Sequence, residues 1–539
     1  MTEGIAIDLG TSGFRAQRID LGSGAIVRTA ITLRNPLPGA NVMDHLHFAV
    51  TWGQDTAHDL VVQALMTLFN TLGATPGSID RIAICGNPIQ LSLFQGIPID
   101  DLAYAGDKKK EKYHIADQDR SAAVRDAGEI AGMGAFEGCE LRVPPAVKHE
   151  VGADALALLV KSGMLDSPEI SIATDYGTNA EMALKVDDII YTGSAAAGPA
   201  LEGQEVACGT LAKPRVVSDI DFEDGAFRST VLSDDMDECT GALFNPINGE
   251  IYEEGTIAAT GITGTGVIAL IKEGMETELV KLPHIKTRHK ALLLHDDLYF
   301  DEHDLVEAGR AIGAIRAGHV TLCDAAGIDV KDIETAYMSG AAGTYMDAAK
   351  AHMVGLVPYA VRDVYQIGNT SLALARDVLL SEDRLWELED VARSVRGSHV
   401  MFATSPAFKK AYINELSYWE EGMPFERMQT MLKRRGLPMV AAPTTDPKVH
   451  RIVVKDIPDL GTEGLRVLER TGTLLTMKIE ECTLCGLCEE VCTHDAIELH
   501  EDGTVVIRSD LCDGSHCQKC IHACHEELLC WECLEVVER

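Results

Sequence analysis

From Ile5 the chain reads IAIDLGTSGFRAQRID. An apolar run ends at Asp8, a tight turn of Gly10, Thr11, Ser12 and Gly13 follows, and apolar positions then alternate at Phe14, Ala16 and Ile19. Period-two alternation across a glycine-rich turn predicts a strand, a turn and a second strand. The pattern returns at Ile170 in ISIATDYGTNAEMALKVD. There Asp175, Gly177 and Thr178 stand where Asp8, Gly10 and Thr11 stand, with Asn179 next in line. Repetition on this scale predicts two similar halves. YMSGAAGTYMD, residues 337–347, predicts a strand running through a small-residue turn into a helix. GITGTGVIALI, residues 261–271, is another glycine-rich entry to a helix, and it lacks the last glycine of a dinucleotide fingerprint. Near the end, IELHEDGTVVIRSD predicts two short strands around a turn.

The hairpins carry phosphate chemistry. Gly and Thr in a tight turn present backbone N–H groups and a hydroxyl to phosphate oxygens. An Asp at the strand end suits Mg²⁺, a hard cation that prefers oxygen. Two such hairpins from two halves are expected to clamp the phosphates of ATP. No G-x-x-x-x-G-K-[ST] occurs, which excludes a P-loop. One D-x-G-T turn has ordinary structural explanations, since Asp, Gly and Thr favour turns; two with matching flanks carry more. They resemble the phosphate motifs of the superfamily that holds acetate and sugar kinases, heat-shock chaperone ATPases and actin. Residues 337–347 resemble its adenosine motif, which implies that Gly340 and Gly343 allow close approach of base and ribose. The expected ATP set is Asp8, Gly10, Thr11, Ser12, Asp175, Gly177, Thr178, Asn179, Gly340 and Gly343. No catalytic residue is identified.

Composition adds a second module. Of the fifteen cysteines, Cys85, Cys139, Cys208, Cys239 and Cys323 lie singly and the rest follow residue 480. Isolated cysteines are commonly core residues. Cys482, Cys485, Cys488 and Cys492 form C-x2-C-x2-C-x3-C, and Cys512, Cys517, Cys520 and Cys524 form C-x4-C-x2-C-x3-C. Three close-set thiolates wrap one face of a cube, and the fourth serves the neighbouring cluster. One 4Fe–4S cluster is therefore expected on Cys482, Cys485, Cys488 and Cys524, and a second on Cys492, Cys512, Cys517 and Cys520. Zinc is the competing occupant, but its sites usually come as two separated C-x2-C pairs. The eight ligands are complete without Cys530 and Cys533, and His516, His522 and His525 read as surface or supporting groups. The crossed pattern resembles bacterial-type ferredoxins with two 4Fe–4S clusters. Thr493 and His525 stand where such proteins usually have Pro, and the first gap of the second motif is wider.

The net charge of −36 disfavours nucleic acid. No apolar run is long enough for a transmembrane helix, and the N-terminus has no secretory pattern, so a cytoplasmic protein away from membranes is expected. The basic run at residues 108–112 reads as a solvated face.

An ATP body joined to a ferredoxin suggests nucleotide hydrolysis driving an electron uphill. GNPIQLSLFQGI from Gly86, DYGTNAEMAL from Asp175, GSAAAGPALEG from Gly193, GITGTGV from Gly261 and IGNTSLALAR from Ile367 occur in the order seen in reductive activators of corrinoid-dependent enzymes. The layout is similar to that of the methylamine methyltransferase corrinoid protein activators of methanogenic archaea. The resemblance implies a two-lobed α/β ATPase body of the actin, chaperone and sugar-kinase type, followed by an α+β ferredoxin-like domain. It implies Mg and ATP, two 4Fe–4S clusters, a corrinoid protein partner brought from Co(II) to Co(I), and a low-potential electron donor. The expected division is 1–150 and 151–425 for the two halves, 426–475 for a linker in which HRIVVKDI, residues 450–457, reads as a strand, and 476–539 for the ferredoxin on a flexible tail. Besides a non-enzymatic reading, a nucleotide-gated electron-carrier or chaperone subunit, two other readings fit parts of the pattern. One is an activator of 2-hydroxyacyl-CoA dehydratases, whose single cluster is shared between two chains. The other is a small-molecule kinase fused to a ferredoxin, with Asp154, Asp234 or Asp235 as base.

Overall fold

The computed structural model describes residues 2–39, 41–103, 107–147, 151–177, 179–195, 206–295 and 298–537. Two compact units emerge: residues 1–154, 371–393 and 459–539 in one, residues 155–370 and 394–458 in the other.

The first unit is built on a seven-stranded sheet. Glu3–Leu9, Phe14–Asp20 and Ile26–Thr32 form an antiparallel meander, and Ile79–Gly86 and Glu140–Val143 extend it in parallel beyond Glu3–Leu9. Glu3–Leu9 is thus central and covered on both faces. That explains its unbroken apolar run, with Ile5, Ile7 and Leu9 all fully buried. The second unit repeats the plan. Ser171–Tyr176, Ala180–Val186 and Ile189–Ala195 form the meander, and Thr335–Ser339 and Asp363–Gly368 extend it in parallel. Its core helices Glu302–Ala326 and Pro406–Trp419 pack closely because Gly309 and Gly313 leave room; an added Cβ would stand 2.9 Å and 2.8 Å from the Cβ atoms of Trp419 and Glu415. A four-stranded antiparallel sheet over Val217–Glu223, Ala226–Leu232, Glu238–Phe244 and Ile251–Glu253 was not expected from the sequence.

The linear division differs from the structure in three places. Residues 371–393, expected in the second half, belong to the first unit. Residues 426–475, expected as a linker, hold Lys448–Arg451, which extends the second unit's sheet, and Leu465–Leu468, which pairs in parallel with Ile26–Thr32. The cysteine-rich end is not a free tail. Its own sheet joins Leu474–Lys478, Thr504–Arg508, Ile497–Leu499 and Glu535–Val536, and it packs into the first unit. Ser509 Oγ donates to the Pro36 carbonyl at 2.7 Å, Gly39 N–H to the Cys512 carbonyl at 2.9 Å, and Trp52 Nε1 to the Leu534 carbonyl at 2.7 Å. Trp52 also meets Trp531 edge-on, 5.1 Å between centroids. Among the described residues no helix is long and apolar enough to cross a membrane.

Candidate functional site

The first hairpin closes with Asp8 opposite Arg15 and Leu9 opposite Phe14. Asp8 is 5% exposed, and Arg15 Nη1 lies 3.6 Å from its Oδ2. At Gly10 a Cβ would stand 2.7 Å from the Gly13 carbonyl oxygen, so the turn is too tight for any side chain. Two asparagines hold it. Asn35 Nδ2 donates to the Gly10 carbonyl at 3.1 Å, and Asn87 Nδ2 donates to Thr11 Oγ1 at 3.1 Å. Asn87 also caps the helix Pro88–Gln95, accepting from Gln90 N–H at 2.9 Å. Neither asparagine was expected in the site. Asn87 was findable, because Asn followed by Pro before an apolar run is a helix-start signal. Cys85, paired with Asp8 on the neighbouring strand, is buried, and its thiol is pushed far up by burial and then by the charges of Asp8 and Asp154. That places Asp154, in the first turn of Ala153–Ser162, near the base of this hairpin.

In the second unit, Asp175 occupies the corresponding place. It pairs with Glu181 across the hairpin and with Ser339 on the parallel neighbour. Gly177 N–H donates to the Asn179 carbonyl at 3.3 Å, which closes the turn. Thr178 lies outside the described residues. Ser339 Oγ reaches Asp175 Oδ2 at 3.3 Å, and it also meets the Gly368 carbonyl and Thr370 Oγ1. Thr335–Ser339 runs straight into the helix Gly340–Tyr345. Gly340 has φ +81, and a Cβ there would fall on Asp175 Oδ1. Gly343 is packed against Met338 and the Tyr176 ring. The donor set of each unit fits phosphate and Mg²⁺: a carboxylate at a strand end, a tight turn after it, and a supporting hydroxyl, with glycine obligatory at Gly10 in the first unit. Asp234 and Asp235 are exposed in the turn after Ala226–Leu232.

In the cysteine-rich module, Cys492, Cys512, Cys517 and Cys520 line one hollow together with His494, Ile497, Ile507, Asp513 and Trp531. Cys492 comes from the first motif, so the hollow joins the two motifs. Cys492 Sγ accepts from Ala496 N–H at 3.2 Å and Cys512 Sγ from Gly514 N–H at 3.4 Å, contacts that favour thiolates. Burial pushes the Cys512 thiol up, with Cys520 and Cys517 adding repulsion. Burial likewise pushes Cys520 up to about 11, with Cys517 and Cys492 adding to it. Four half-buried thiols gathered on one hollow are a donor set that an iron–sulfur cluster fits. In the first motif, burial raises Cys488, Glu489 and Cys482 add repulsion, and Cys485 is exposed. Cys530 and Cys533 are disulfide-bonded, on either side of the buried Trp531. Of the isolated cysteines, Cys85, Cys139 and Cys323 are in the core as expected; Cys208 and Cys239 are partly exposed.

Three families match the chain: "RACo middle region" over residues 3–167, "C-terminal domain of RACo the ASKHA domain" over residues 169–429, and "4Fe-4S binding domain" over residues 479–498. A "[Co(II) methylated amine-specific corrinoid protein] reductase" of Methanosarcina barkeri is 44% identical over 96% of this chain and 95% of its own length. A "corrinoid activation enzyme RamQ" of Eubacterium limosum is 25% identical over 78% of this chain and 71% of its own. The solved structure of a "reductive activator for corrinoid, iron-sulfur protein" shares the fold, with a TM-score of 0.63 and 21% identity over 77% of this chain and 66% of that one. The actin-like ATPase body and the ferredoxin-type module expected from the motifs are both present, and the chain belongs to the family of corrinoid protein reductive activators.

Proposed function

We propose that this chain reactivates the corrinoid protein of a methylamine methyltransferase, passing one electron from a low-potential donor to Co(II) to give Co(I) at the expense of ATP. The observation that carries the reading is end-to-end similarity, at 44% identity, to a reductase of the methylated amine-specific corrinoid protein. The eight cysteines in two ferredoxin motifs give the electron a place to sit. Bound clusters supply one-electron storage at low potential, and bound Mg-ATP supplies binding and hydrolysis energy.

The chain's own residues divide the work. Asp8 and Asp175 hold Mg²⁺ directly or through water, and the turns at Gly10, Thr11, Ser12 and at Gly177, Thr178, Asn179 receive phosphate oxygens. Gly340 and Gly343 carry the turn assigned to the nucleoside, and Gly340 leaves room for the Asp175 carboxylate. Cys482, Cys485, Cys488 and Cys524 hold one cluster, and Cys492, Cys512, Cys517 and Cys520 the other. Both clusters are docked on the unit that carries the first phosphate hairpin. Reduction of Co(II) in a corrinoid is strongly uphill, and tenfold in a one-electron equilibrium is 59 mV. Nucleotide cannot change the electron count. It can favour a complex in which the cobalt sheds an axial ligand, a population shift that requires different affinity for the two states.

The test mixes the purified protein with a Co(II) corrinoid protein of the methylamine system, a low-potential reductant and Mg-ATP, and follows the cobalt spectrum. Co(I) is expected only with ATP, and the Asp8→Ala and Asp175→Ala variants are expected to hold iron yet leave Co(II) unreduced. Equal rates of Co(I) formation without nucleotide, or with Asp8→Ala, would overturn the coupling.

A further inference from the structure

Residues 33–39 run from the first phosphate hairpin to the second cysteine set. At the near end, Thr32 Oγ1 accepts from Phe14 N–H at 2.7 Å, and Asn35 Nδ2 holds the Gly10 carbonyl at 3.1 Å. Asn35 Oδ1 accepts from Leu37 N–H at 3.0 Å, so both ends of that amide are used. At the far end, Pro36 and Gly39 make the bonds to Ser509 and Cys512 given above. Arg34 Nη1 stands 3.8 Å from Asp513 Oδ1 and Nη2 stands 3.4 Å from His494 Nδ1. Asp513 and His494 both line the hollow of the second cysteine set.

The connection has little slack. Residues 35–38 are buried, and Pro36 and Pro38 each fix a backbone torsion. Gly39 has φ +132, and a Cβ there would fall on the Asp44 side chain. A Cβ at Gly514 would stand 3.0 Å from the Gly39 Cα. Thr471 Oγ1 donates to the Arg34 carbonyl at 3.2 Å from the other side. A displacement of the Gly10 carbonyl therefore reaches Arg34 through one residue and Cys512 through four, along a strap pinned on both sides.

We propose that residues 33–39 couple nucleotide at the first hairpin to the reduction potential of the cluster on Cys492, Cys512, Cys517 and Cys520, with Asn35 and Arg34 as positioning residues. The proposal rests on the reading of the two sites above. Arg34 stands against two lining groups of this hollow, His494 and Asp513, and its positive charge there, together with that of Lys519 in the lining itself, favours the more negative, reduced cluster. Moving its guanidinium relative to His494 and Asp513 changes that preference. The other cluster has no such contact with residues 33–39 among the described residues. Coupling of this kind is reciprocal, so reduction of the second cluster changes nucleotide affinity by the same factor that nucleotide changes the reduction equilibrium. A tenfold difference in nucleotide affinity between oxidised and reduced protein corresponds to a 59 mV displacement of that cluster's midpoint.

The experiment uses the full-length, cluster-loaded protein. Nucleotide binding and iron and sulfide content are measured first. Redox titrations followed by electron paramagnetic resonance are then run with and without Mg²⁺ and a non-hydrolysable ATP analogue. One of the two midpoints is expected to move with nucleotide and the other to stay. Arg34→Gln is expected to lower that same midpoint without nucleotide, and Asn35→Ala to keep both clusters while losing the nucleotide-induced shift. If Asn35→Ala fails to fold, Arg34→Gln, at a partly exposed position, reports alone. Bound nucleotide with both midpoints unmoved, both moving equally, or a full shift retained in the variants overturns the coupling. Failure to bind nucleotide, or absence of a second cluster, overturns the site reading instead.

Discussion

Replacing Gly340 by Ala tests the second phosphate hairpin without removing any of its polar groups. The residue sits where Thr335–Ser339 enters the helix Gly340–Tyr345, with φ +81. An L-residue in that region costs about 1–2 kcal/mol relative to glycine. The added methyl would also fall on Asp175 Oδ1. Relief requires the carboxylate to swing away and give up its contact with Ser339 Oγ at 3.3 Å, worth about 1 kcal/mol. The local cost is then about 2–3 kcal/mol, and it falls on the group assigned to Mg²⁺. At 1.4 kcal/mol per factor of ten, that is a loss of roughly 30- to 140-fold in Mg-nucleotide affinity. The assay is a calorimetric titration with Mg²⁺ and a non-hydrolysable ATP analogue, alongside iron and sulfide content. Iron is expected to be unchanged, because the cysteines belong to the other compact unit. Gly397→Ala is the control: its Cβ would meet nothing within 4 Å. Wild-type nucleotide affinity in Gly340→Ala would refute the assignment of Asp175.

Two further predictions concern the first unit. Cys492→Ser is expected to lower iron and sulfide from about eight to about four of each per chain and to remove the cluster of the second motif, although Cys492 belongs to the first; Cys488→Ser should remove the other cluster. Stoichiometric zinc without labile sulfide in the wild type would sink both expectations. His45 is fully buried, and burial lowers its pKa to about 4 against a backbone hydrogen bond at Gly39 that works the other way. The unfolded histidine takes up a proton near 6.5 and the folded one only near 4, so its contribution is complete above 6.5 and lost as pH falls toward 4, by up to about 3 kcal/mol. Urea unfolding of wild type and His45→Asn at pH 7.5 and pH 5 checks this, and an identical loss in both proteins would refute it.

What the sequence disclosed and what it hid have separate physical causes. The strands Glu3–Leu9 and Ser171–Tyr176 were legible because each is central in its sheet and each ends at an Asp and a Gly-Thr or Gly-Thr-Asn turn that breaks the apolar run. The cysteine spacing was legible because ligands of one cluster must be close in the chain on one side. Leu465–Leu468 was not, and Lys448–Arg451 was only half legible, since the strand expected at residues 450–457 overlaps it by two residues. Each has four residues, and neither holds a buried one. Such strands are stabilised by pairing along one edge and leave almost no hydrophobic period to read. The surrounding Pro and Gly then read as linker, although Gly461 is pressed against the backbone of Val27 and Arg28, where no side chain would fit. The same blindness hid the docking of the cysteine module. Its attachment is carried by the carbonyls of Pro36, Cys512 and Leu534, and a main-chain carbonyl leaves no trace in residue identity. Yet this docking bears directly on the proposed mechanism. A free tail would carry an electron to the cobalt regardless of what the ATPase body does. A module whose rim is held by the residues that also hold Gly10 cannot be displaced without moving the phosphate hairpin. On the coupling proposed above, nucleotide and electron are linked by how the first unit is packed and not by the reach of a flexible tether.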